Sequence, residues 1–156
     1  MSRAFFLLGG LAGSVLAYHC PLRISSVEGA SMQPSLNPDW QKEKQKQDYV
    51  LVQRISQPDP DQLLGRVVVL RNPKDLRDLL TKRVTAKPQD QVWRRPTFKV
   101  DHPPILTEIP KDHVWVSSDA GQGFRDSDHF GPVSKDHVLG RVVLIVWPPH
   151  RIGRVD

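Results

Sequence analysis

At 156 residues, with 38% hydrophobic and 25% charged side chains, the chain has the size of one ordinary domain and enough apolar residues for a core, which excludes a disordered segment. Ten glycines and fourteen prolines favour short strands joined by turns over a helical bundle. The net charge of +5 comes from basic residues interleaved with acids, and the densest run, Gln41–Lys46, lacks aromatics, so no nucleic-acid partner is expected.

One cysteine, Cys20, excludes an internal disulfide. The six histidines (19, 102, 113, 129, 137 and 150) have no metal-ligand spacing, and neither a metal nor another cofactor is expected.

The first element is apolar. From Ala4 to Cys20 no charge interrupts "AFFLLGGLAGSVLAYHC". As a helix it would span about 25 Å, the short end of a bilayer crossing. Three readings compete: a single membrane anchor over residues 1–22, a cleaved secretory signal, and a buried core helix. As an anchor, Arg3 would hold the N-terminus on the cytoplasmic or matrix-like side and send the remaining domain, 23–156, across the membrane.

A loop over 25–38 follows, then the polar stretch "DWQKEKQKQ". Strands are predicted at 48–55, 65–73, 91–100 (with an edge proline), 112–119 and 137–149. Residues 75–86, "DLRDLLTKRVTA", are ambiguous: the first part has helical spacing, whereas "TKRVTA" alternates. "GQGFRDSDHFGPVS" reads as a long loop. The expected fold is mainly antiparallel β, carried by one N-terminal membrane-spanning or membrane-associated helix.

Two residues draw attention as chemistry. In "EGASMQPSL" (28–36), Ser31 is flanked by small residues and followed by Pro34. It is either an ordinary turn serine or a nucleophile held in a rigid loop. A serine nucleophile needs a base, either histidine with an aspartate or a neutral lysine. Alternation puts Lys82 on one face with Leu80 and Val84, so it is either a snorkelling strand lysine or a desolvated amine fit for that role.

Four pieces in order, "EGASMQPSL", "LGRVVVLRNP", "KRVTAKPQD" and "DSDHFGPVSKDHVLGRV", resemble the boxes of the type I signal peptidases, over residues 24–149. The ending "VLIVWPPHR" and the short length resemble the mitochondrial inner-membrane branch of that family. The resemblance implies a serine endopeptidase with Ser31 as nucleophile and Lys82 as general base, working through an acyl-enzyme. It implies shallow substrate pockets lined by Gly29, Met32 and Val84, and presequence-bearing protein substrates. It also implies a second, related peptidase subunit and an inner-membrane location with the domain facing the intermembrane space. A bacterial-type or other organellar signal peptidase, or a supporting subunit without activity, are the rival readings.

The chain departs from the family pattern at several places. Gly29 cannot supply the side-chain oxyanion donor that many relatives place there. Ala86 and Gln89 replace glycines, Ser118-Asp119-Ala120 replaces Gly-Asp-Asn, and Asp128 replaces an arginine expected to pair with Asp126. Phe124 stands where relatives have a serine that contacts the lysine. It is expected instead to add to the desolvation of Lys82.

Overall fold

The structure, a computed structural model, describes residues 21–40, 42, 47–95 and 103–155. The expected anchor lies, through residue 20, outside the described residues, as do Cys20 and the second half of the strand predicted at 91–100. Among the described residues no helix is long and apolar enough to cross a membrane.

The strands are β1 (Leu22–Ser26), β2 (Tyr49–Arg54), β3 (Val67–Asn72), β4 (Asp75–Ala86), β5 (Gln91–Arg94), β6 (Ile105–Glu108), β7 (His113–Ser117), β8 (Val133–Ser134), β9 (Val138–Trp147) and β10 (Gly153–Arg154). Two one-turn helices, α1 (Pro60–Leu63) and α2 (Ser127–Phe130), punctuate them. All strand pairings are antiparallel, in the order β1-β2-β9-β3-β4-β7-β8, with β10 on β9. The mainly antiparallel β expectation is borne out. The sheet takes in Leu22, one residue before the expected domain boundary.

Local chemistry explains the elements. Asp59 caps α1 by accepting from the Asp61 N–H, with Pro60 in the first turn where no N–H is needed. The ambiguous 75–86 segment is strand throughout. The Asn72 side chain accepts from the Lys74 N–H and closes a tight turn, and β4 then pairs back along β3 from Asp75 to Arg83. Its helical-looking Leu76 and Leu79 are exposed, so their spacing marks no buried helix face. Six of the labelled elements escaped the sequence reading: β1, which lay partly in the predicted serine loop, β6, β10 and α1, together with α2 and β8, which lie in the segment read as one long loop.

Two apolar clusters sit at the centre. One gathers Leu63, Val68, Leu70, Leu80, Val84, Val114, Val116, Val133 and Val138. The other gathers Val27, Met32, Leu36, Val50, Val67, Val142 and Ile145. Strand β3 feeds both, since alternate side chains point to opposite faces. At Gly140, β9 crosses β2 so closely that a Cβ would lie 2.5 Å from the Gln53 carbonyl oxygen. The β5–β6 hairpin forms its own sheet, seated through Val92 on Ala86, Ile109 and Trp115.

Candidate active site

The loop that carries Ser31 is tied at several points. Gly29 has φ +89°, a backbone that a side chain would strain. Met32 and Leu36 plunge into the second cluster, and the Leu36 N–H donates to the Met32 carbonyl at 2.8 Å. The Ser31 carbonyl accepts from the Ala120 N–H at 3.1 Å.

Beneath the loop lies a buried polar knot. Asn37 donates through Nδ2 to the carbonyls of Val27 (2.7 Å) and Gly29 (3.1 Å), and its Oδ1 accepts from the Asp48 N–H. The Asp48 carboxylate accepts from the Asn37 N–H at 2.8 Å and from Arg151 Nε and Nη2 at 2.9 and 3.0 Å. Arg151 Nη2 also donates to the Ser35 carbonyl. These polar groups satisfy one another, as buried polar groups must. Sequence reasoning passed over Asn37, Asp48 and Arg151, because their spacing along the chain carries no motif of its own.

Strand β4 delivers Lys82. Leu80, Lys82 and Val84 share the buried face, and Lys82 is only 3% exposed. Its Nζ donates to Ser31 Oγ at 2.6 Å and to the Thr81 carbonyl at 3.1 Å. Residues 51 apart in the chain therefore meet at hydrogen-bond distance. Burial pushes the Lys82 amine down to about 8; Asp126 works against this and Arg125 with it.

The neighbouring Arg83 points to the other face. It grips Asp119 with Nε (2.9 Å) and Nη2 (2.7 Å), and reaches the Gly65 carbonyl and Ser35 Oγ. Such a bidentate pair fixes both position and angle, and it ties the serine loop, β4 and the 118–120 turn together.

The 118–130 segment supplies three of the charges that act on the amine, Asp126, Arg125 and Asp119. No Asp126–Asp128 ion pair is possible, and Asp126 instead accepts from the N–H groups of Ser118 (3.0 Å) and Asp128 (3.1 Å), capping α2. Burial raises the Asp126 carboxyl above its ordinary value. Arg94 donates to the Asp128 and His129 carbonyls, so an arginine from β5 holds this turn.

A cleft of about 560 Å³ opens beside the pair, with Ser25–Ser31 on one wall, Asp78–Lys82 on the other, and Phe124 and Arg125 at its mouth. Phe124 and Lys82 both line this cleft. Of the three residues expected to contact substrate, only Gly29 lines the cleft. Met32 (1% exposed) and Val84 (0%) are consumed by the two cores, because the side chains next to the reacting residues are the ones that anchor them. Among the described residues no group of three or more His, Cys, Asp or Glu is placed to hold a metal ion.

A neutral amine can accept the Ser31 proton and an ammonium cannot. The rate should therefore rise with pH along an acid limb centred at about 8. A kcat/KM profile checks this, and a limb near the ordinary lysine value would contradict the burial of the amine.

A β domain with a serine hydroxyl set against a buried lysine amine is the arrangement of a serine peptidase. The signal peptidase family, peptidase S26, matches residues 1–105 and 94–147, and the chain belongs to that family of serine endopeptidases. It is 35% identical to mitochondrial inner membrane protease subunit 2 of Saccharomyces cerevisiae, over 85% of this chain and 72% of that protein. It is also 35% identical to the Mus musculus subunit 2, over 85% and 71%. Similarity to subunit 1 of Mus musculus is lower, 26% over 88% and 82%.

Proposed function

We propose that the chain is a Ser/Lys endopeptidase of the mitochondrial inner membrane that removes sorting presequences from proteins delivered to the intermembrane space. The observation that carries this reading is the 2.6 Å contact between Ser31 Oγ and a buried Lys82 amine. With the amine neutral, the hydroxyl donates to the nitrogen lone pair. Ser31 attacks the scissile carbonyl as Lys82 takes its proton, and the proton passes to the leaving amine. The acyl-enzyme on Ser31 is then hydrolysed. The Ser31 N–H is one donor to the oxyanion; Gly29 supplies no side-chain donor.

The cleft suits an extended peptide. Among the described residues β1 pairs only with β2, and β4 meets β7 only from Arg83 onward, so both walls offer unpaired strand edges. A substrate strand can add to them. The apolar stretch 4–20 would keep this cleft at the membrane surface, with the domain on the intermembrane-space side. The relatives are named as subunits 1 and 2 of one protease, which supports a heterodimer with a related subunit.

The test is cleavage of a membrane-tethered presequence substrate in detergent by the full chain, with and without the related subunit. Ser31→Ala should lower the rate by at least about 10⁴-fold with the fold retained. Undiminished cleavage would overturn the reading.

A further inference from the structure

Among the described residues, Lys82 has more N–H groups than its partners absorb. As a neutral amine it has two N–H and one lone pair. The lone pair serves Ser31 and one N–H goes to the Thr81 carbonyl, which leaves one N–H over. As an ammonium it again has one left, after the group to which it returns the proton and Thr81. A buried amine in this state needs an acceptor close by.

The register of the sheet offers one. Arg83 pairs with Ser117 and Val84 with Val116; Ser118 is the next residue past the last of these rungs, on the side toward Lys82. Val114, Val116 and Ser118 are the buried series on that side, facing Leu80, Lys82 and Val84. Ser118 is 7% exposed, and its buried Oγ has no hydrogen-bond partner among the described residues. Its own N–H donates to Asp126 Oδ2 at 3.0 Å, which brings that carboxylate alongside. The hydroxyl lies near enough to steady the carboxylate charge, yet outside hydrogen-bond geometry. Asp126 is in turn the foremost charge acting on Lys82. A buried hydroxyl next to Asp126 and one step past the last β4–β7 rung is thus a candidate partner for the remaining N–H of Lys82.

We infer that Ser118 positions the catalytic amine: its Oγ accepts the remaining N–H of Lys82 while its O–H donates to the Asp126 carboxylate. The effect is to hold the Lys82 lone pair on Ser31 and to steady the ammonium formed when the proton transfers. The inference rests on the Ser31/Lys82 reading above.

The experiment compares wild type, Ser118→Ala and Lys82→Met as full chains with the related subunit, on the tethered substrate, across the pH range. Ser118→Ala keeps the Cβ and the backbone N–H to Asp126. The other charges around Lys82 (Asp78 on its own strand, and Asp119, Arg125 and Asp126 opposite) stay in place. Expected is a fall in kcat of about tenfold with KM within about twofold. The acid limb should move to lower pH, because the ammonium has lost an acceptor. A kcat and limb equal to wild type would overturn the inference. So would a lower kcat accompanied by a lower Tm and an unmoved limb, since that pattern belongs to packing alone. Activity retained in Lys82→Met would overturn the Ser/Lys reading itself, and this inference with it.

Discussion

Lys82→Met is expected to lower the cleavage rate about 10⁴-fold and to leave the protein at least as stable as before. The two effects have one cause. Methionine keeps the length of the side chain and its apolar packing between Leu80 and Val84, while it removes the amine hydrogen-bonded to Ser31 Oγ. Burial has lowered the lysine from its ordinary 10.5 to about 8, so the folded state binds that proton less tightly than the unfolded chain. Wild-type stability consequently rises as pH increases from about 8 to about 10.5, and below that window the buried amine is a cost. The methionine variant should escape this cost at neutral pH, and its Tm advantage should shrink as pH rises from about 8 to about 10.5. Thermal melts at neutral and alkaline pH check the stability; initial rates check the chemistry. Adding Ser31→Ala to Lys82→Met should cost little more, because the two residues act as one unit. A rate within tenfold of wild type would remove Lys82 from the reaction.

Asp48→Ala is expected to destabilise the domain by about 3 kcal/mol. The carboxylate answers the Asn37 N–H and two nitrogens of Arg151, and it is almost wholly buried. Its loss leaves the Asn37 N–H without an acceptor and Arg151 without its counter-charge. Because Asn37 also holds the carbonyls of Val27 and Gly29, the serine loop should loosen along with the fold. Urea unfolding measures the first effect and kcat the second. A variant with the wild-type urea midpoint would mean that the knot contributes nothing.

The strands with continuous β-branched or alternating patterns, β2, β3, β7 and β9, were legible because periodicity and turn residues agree there. So was the mainly β architecture, and so was the family, which rests on four short boxes kept in order. Lys82 stood out because its two flanking inward side chains are apolar. What stayed hidden depends on distant partners. β1 has five exposed residues and no pattern of its own, and it exists because β2 offers an edge. The Asn37–Asp48–Arg151 knot joins three separate segments. Met32 and Val84 looked like substrate contacts because they neighbour the reacting residues, whereas nearness in sequence put them on the inward side of the walls.

The hold that Arg151 has on the serine loop bears on how the molecule comes into being. Arg151 reaches Ser35 across 116 positions of the chain, so a polypeptide made from its N-terminus has synthesised both reacting residues long before it can brace the nucleophile. Closing so long a loop is entropically costly and comes late in folding. The brace on the serine loop therefore forms only after the segment that carries Arg151 has been made.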